Sequence, residues 1–165
     1  MFKHRILAIL AGPVAGFFAT FVVHCGLIAV TFAQTMLGPG TYSGPMILMG
    51  APLEFGLWCV PAGLLGGFLA ITCNAVLSFM KVEKNQFKLV AILAGLLPVW
   101  SFFDSVVSTL QSENPLPVEV KIFSLYVMFM MHLSTLTGVV ASTATLWILN
   151  QRAILEESSE CEAVA

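Results

Sequence analysis

Four side chains able to ionise stand inside apolar stretches of this chain: His24, Glu54, Asp104 and His132. A carboxylate beside an imidazole fixes its tautomer and raises its basicity, which is the chemistry of a proton relay. Two imidazoles and one carboxylate can also hold a transition metal with open positions. Two histidines on different helices can clamp a haem iron. The plainer reading of the same residues is a set of buried hydrogen-bonded pairs that fix helix register. All but the last of these readings require His24, Asp104 and His132 to reach one level.

The segments that carry them set that level. A helix needs about 20 apolar residues to cross a hydrocarbon core of about 30 Å, and four segments qualify, near 6–32, 49–79, 89–110 and 122–149. Each holds one of the four residues. Counting from the basic flanks, His24 lies about 28 Å from Arg5, Asp104 about 24 Å from Lys88 and His132 about 30 Å from Arg152. Glu54 lies about 40 Å from Lys81, near the far interface. The expectation is a substrate or proton site of His24, Asp104 and His132 in the outer half, with Glu54 at its edge. The same three residues are the candidate metal set.

Composition agrees with a membrane protein. Of 165 residues, 58% are hydrophobic and 10% are charged, against about 25% charged in soluble domains. Mean hydropathy is +0.94. So few charges could not cover a soluble globule, which excludes a soluble enzyme and a disordered chain. Seven Lys+Arg against nine Asp+Glu leave a net charge of −2, which excludes a nucleic-acid binder that works by neutralising phosphates. No phosphate-binding loop, nucleophile elbow, H-E-x-x-H or dinucleotide fingerprint is present. The fold class is an all-α membrane protein, four transmembrane helices in an up-down bundle surrounded by the lipid bilayer.

Basic residues orient the bundle. Lys3 and Arg5 precede the first span, Lys81, Lys84 and Lys88 lie between the second and third, and Arg152 follows the fourth. The joints holding Gly38-Pro39-Gly40 and Pro115-Leu116-Pro117 are poor in basic residues. Both termini are therefore expected to be cytoplasmic, in a cell or inner membrane. Residues 1–152 form the transmembrane domain, and 153–165 an acidic cytoplasmic tail, solvated and frayed. Thr31-Phe32-Ala33 would suit a signal peptidase, but the apolar run before it is longer than the ~7–15 residues of a signal core, so the first span is kept.

Several patterns say how the spans meet. Residues 5–12, Arg-Ile-Leu-Ala-Ile-Leu-Ala-Gly, resemble residues 88–95, Lys-Leu-Val-Ala-Ile-Leu-Ala-Gly. This points to a duplicated helical hairpin, or to chance among residues common in membrane helices. Small and polar residues form rows: Gly12, Gly16, Thr20 and His24; Glu54, Trp58, Ala62, Gly66, Ala70 and Asn74, with Gly63-xxx-Gly67 beside it; Ser101, Asp104, Ser105 and Ser108; and His132, Thr135, Gly138, Ser142 and Thr145. Such rows let helix backbones approach, and the four stripes are expected to face one another. Pro61 and Pro98 are expected to kink their spans.

Two readings of function follow. The leading one is a small non-enzymatic membrane protein, a transport protein or a subunit of a membrane complex. It needs no cofactor, and it assembles as a homo-oligomer or with larger partners, because four helices are thin for a whole pathway. The rival is a membrane redox or metal protein using haem b or copper on the same histidines. The thiols and thioethers of Cys25, Cys59, Met36, Met46, Met49, Met128, Met130 and Met131 would suit copper(I), although methionine is also a common gap filler.

Overall fold

The computed structural model describes residues 2–37, 52–80, 85–111 and 117–164. They form four helices and no strand: α1 (Phe2–Leu37), α2 (Pro52–Phe79), α3 (Gln86–Gln111) and α4 (Val118–Val164). All four contain a stretch long and apolar enough to cross a bilayer. The protein is thus an integral, multi-pass membrane protein with four spans, in the order expected. The joints at 38–51, 81–84 and 112–116 lie outside the described residues, as do the Glu54 and Cys161 side chains.

The last helix departs from expectation. α4 has 47 residues, about 70 Å at the usual rise, and stays helical through Val164, where the sequence suggests a frayed tail. Glu, Ala and Leu are good helix formers, and 153–164 contain neither Gly nor Pro.

The bundle is a rhombus. Neighbours in sequence pack together, and so do α1 with α4 and, across the short diagonal, α2 with α4. Glycine makes the α1–α2 contact and that diagonal possible. A Cβ on Gly63 would stand 2.8 Å from the Gly12 carbonyl oxygen, and one on Gly12 would stand 2.5 Å from the Gly63 carbonyl oxygen. Cβ atoms on Gly66 and Gly138 would strike the Thr135 and Gly63 carbonyl oxygens. Gly63 is the point where α1, α2 and α4 meet. On α1, the residues buried in this contact are Ala8, Gly12, Gly16, Thr20 and His24, the expected row extended by one turn. Hydroxyls close the seam: Ser134 donates to the Cys59 carbonyl at 2.7 Å and Ser142 to the Ala8 carbonyl at 2.6 Å.

Pro13, a third proline inside a span, bears on the same contact. It lacks an N–H, so the Ile9 carbonyl loses its helical donor. That carbonyl lies against Gly67, where an added Cβ would be 3.1 Å away.

The α3 stripe of Ser101, Asp104, Ser105 and Ser108 does not join the other three. The α2–α4 contact fills the centre, and α3 packs outside it. The buried residues of α3 are Val90, Ala94, Gly95 and Pro98, and none from 101 to 111 is buried. At the end carrying Lys88, α3 is held firmly. Val90 and Ala94 join Ala70, Leu77 and Val139 in one core cluster. The Gln86 amide donates to Ser78 Oγ at 2.6 Å, Asn74 Oδ1 at 3.0 Å and the Asn74 carbonyl at 3.2 Å. Asn85, just before α3, has φ of 60°, a left-handed conformation that Asn tolerates better than most residues.

Candidate functional site

The two intramembrane histidines lie on different sides of α4. His24 is 2% exposed and its Nδ1 is hydrogen-bonded to the Tyr126 hydroxyl. The rings are 5.8 Å apart and tilted by 41°. One turn along α1, Thr20 is fully buried and its hydroxyl donates to the Gly16 and Phe17 carbonyls. The Cys59 thiol lies beside Thr20. These residues form a polar cluster inside the tight three-helix seam. A count of ionisable residues misses Tyr126, because its phenol matters only once buried. The signal is there all the same, since a Tyr hydroxyl inside a span needs a partner and so does His24.

His132 faces the other way, toward α3. Its Nδ1 lies 2.7 Å from the Met128 carbonyl, which can only accept, so Nδ1 carries the proton in this arrangement. Nε2 is then an acceptor in the neutral ring, and the Ser101 hydroxyl donates to it at 3.2 Å. The Phe102 ring meets the imidazole edge-on, with centroids 5.6 Å apart. A backbone carbonyl thus fixes the tautomer, and a basic lone pair is left toward α3.

Asp104 follows Ser101 by about 4.5 Å along α3. Its side chain is exposed, and it makes no ion pair or hydrogen bond with the described residues. By the same count Asp104 lies about midway between the levels of His132 and Tyr126, which are about 9 Å apart along α4, so all three residues fall within two turns of one level, but His24 belongs to a separate contact, at Tyr126. His24, Asp104 and His132 do not converge. Among the described residues no three His, Cys, Asp or Glu side chains form a group able to hold a metal. Depth arithmetic fixes the distance of each residue along its axis but not its direction around it. Glu54 lies in the first turn of α2, and Trp58, one turn on, is 81% exposed. Trp58 thus leaves the row in which the sequence places it and points to lipid.

His132 borders two open spaces, one between α3 and α4 and one between α2 and α4. On one side of it is a space of about 130 Å³ walled by Pro98, Val99, Phe102 and Phe129. On the other is a space of about 290 Å³ walled by Pro61, Ala62, Leu65 and Met131. His132 is common to both. Their rims are apolar, with Leu65, Met131 and Phe129 all about half exposed.

Comparison with known proteins finds no match to this chain, whether among family models, curated proteins or solved structures.

Proposed function

We infer that this protein is a non-enzymatic subunit of transport type, working alone as an oligomer or within a larger membrane complex. Its polar site is His132 with Ser101, and Asp104 about a turn further along α3. In this reading His132 and Asp104 hold or pass a proton or cation, while His24 and Tyr126 serve the scaffold. The observation that carries the reading is His132 itself. It is an imidazole with a fixed tautomer and a basic Nε2, bonded to Ser101 and about one turn from an exposed carboxylate. An ionisable residue inside a span is costly, at most about 2.5–3.5 kcal/mol for a charged Asp at the span's centre on insertion scales, and Asp104 stands in the outer half of its span. Such a residue, away from any structural partner among the described residues, supports a functional role. The Lys and Arg placement supports termini on the cytoplasmic side.

The test is proton flux into vesicles reconstituted with the purified protein, driven by a potassium-diffusion potential and read with an internal pH dye. Flux above that of protein-free vesicles, lowered about tenfold or more by Asp104→Asn, is the expected result; a tenfold loss corresponds to about 1.4 kcal/mol. Flux equal to protein-free vesicles, or untouched by Asp104→Asn, overturns the reading.

A further inference from the structure

We propose that α3 docks on α3 of a second copy of this chain, along the face that carries Ser101, Asp104 and Ser108, so that the two Asp104 carboxyls meet at a two-fold axis normal to the membrane. The proposal rests on the oligomeric form of the reading above, and names its partner and its contact.

The outer half of α3 calls for a cover. Ionisable side chains inside spans almost always face a bundle interior or a water-filled cavity, paired with one another or with backbone carbonyls. Asp104 finds no such partner within one copy: its side chain is exposed and bonds with none of the described residues. Gln111, the last residue of α3, stands about 10 Å further on, a distance that a short Asp side chain does not span. Ser101 and Ser108 are exposed beside Asp104. With Leu97 and Gln111, also exposed, these residues repeat at intervals of four, three, four and three. That is the spacing of a left-handed helix pair. Small polar residues within it let backbones approach and hydrogen-bond across the contact.

Symmetry points to the occupant. Two copies oriented by the same basic flanks run parallel, so each residue near a two-fold axis along the membrane normal meets its own counterpart at the same depth. A polar face suits such a partner only if its donors and acceptors answer their own images. Lys or Arg would repel its image, and the stripe holds neither. The Ser108 hydroxyl donates to the Ser105 carbonyl at 3.1 Å and the Ser101 hydroxyl to His132 Nε2 at 3.2 Å, which leaves both oxygens as acceptors. A carboxyl that carries its proton donates as well as accepts, and two carboxyls in one place can share a proton. Asp104 is thus the donor that this face needs. Its own image, and the serines about one turn to either side on the facing helix, are the acceptors that it needs.

The experiment mixes two pools of the full chain, one with a donor and one with an acceptor fluorophore at the C-terminus, in phosphatidylcholine vesicles. Energy transfer is followed as lipid is added, and should fall along a monomer–dimer curve. Asp104→Ala should weaken association about tenfold or more, the scale of polar contacts between model membrane helices. Asp104→Asn, which keeps a donor and an acceptor, should weaken it by less than about threefold. Cross-linking maps the contact with Asp104 in place. On mild oxidation Leu97→Cys and Ser108→Cys should join copies above the background of the parent chain, whereas Val99→Cys and Leu110→Cys, at exposed positions on the opposite flank of α3, should not, because a disulfide needs its two Cα atoms within about 7 Å. Transfer no greater than random mixing at every lipid ratio overturns the proposal and leaves the stripe to a partner of another sequence. Association untouched by Asp104→Ala, or cross-links as strong at Val99 and Leu110 as at Leu97 and Ser108, overturns it too. Flux keeps this proposal apart from the transport reading: association without any flux sinks only the transport, and flux from a chain that stays monomeric sinks only the dimer.

Discussion

Toward α1 and α2, α4 presents Ser134, Gly138 and Ser142, and the helices meet backbone to backbone. Toward α3 it presents Phe129, His132, Leu133 and Leu136, and side chains hold the helices apart. The glycines make the contrast measurable. A Cβ on Gly63 would invade the Gly12 backbone, whereas one on Gly95 would rest 3.5 Å from Leu136 Cδ1, an ordinary contact. In lipid, helix association depends on close packing and on hydrogen bonds between helices, without a hydrophobic drive. The tight seam has both in full. The α3 side packs closely only at the Lys88 end, and its other half is tied to α4 by the longer Ser101–His132 and Thr109–Met128 contacts, with space beside them.

The strongest way to break this comparison is to fill the seam. Gly63→Ala and Gly66→Ala should each cost about 1–3 kcal/mol, as overpacking does, because the obstacles are backbone atoms. Unfolding in mixed micelles by SDS titration reads this, and two unchanged midpoints would mean that the seam is looser than described.

The seam hydroxyls come next. Ser134→Ala and Ser142→Ala should each lower stability by about 0.6 kcal/mol, and by no more than about 1.7, the measured range for hydrogen bonds between membrane helices. A double-mutant cycle on His24→Phe and Tyr126→Phe should give a coupling of the same size. A coupling of zero would separate the two rings and dissolve the polar cluster.

On the other side of α4 the effects should shrink. Ser101→Ala leaves His132 its Met128 bond, removes a long contact at an exposed residue, and should change stability by less than about 0.5 kcal/mol. Gly95→Ala should be the mildest, within about 0.5 kcal/mol of the parent in either direction. A loss there as large as at Gly63 would show that α3 packs as tightly as α1, and the contrast would fail.

Much of the scaffold is legible in the sequence because lipid imposes strong rules. Four apolar runs could only be four spanning helices, and the Gly12, Gly16, Thr20, His24 row reappears as the buried face of α1. The site is legible only in part. Distance along a helix follows from counting, so His132 and Asp104 fall where expected. Direction around a helix depends on which neighbour comes closest, and the α2–α4 diagonal turns the Ser101, Asp104, Ser105, Ser108 stripe outward. That diagonal could be suspected from Gly63, Gly66 and Gly67 on two adjoining faces of α2, a surplus of glycine that one neighbour would not need. The His24–Tyr126 pair escapes any reading that weighs formal charge ahead of hydrogen-bonding need.

The seam also constrains the order of assembly. Helices are made from the N-terminus onward, so α1 and α2 meet first, through Gly12, Gly63 and Gly67, and α3 then folds back on α2 at the Gln86 lock. The residues that complete the seam, Ser134, Gly138 and Ser142, emerge last. Until α4 is made, Gly66 on α2 lacks the Thr135 and Val139 backbone that it packs against in the finished bundle, and the three-helix seam stays open on that side.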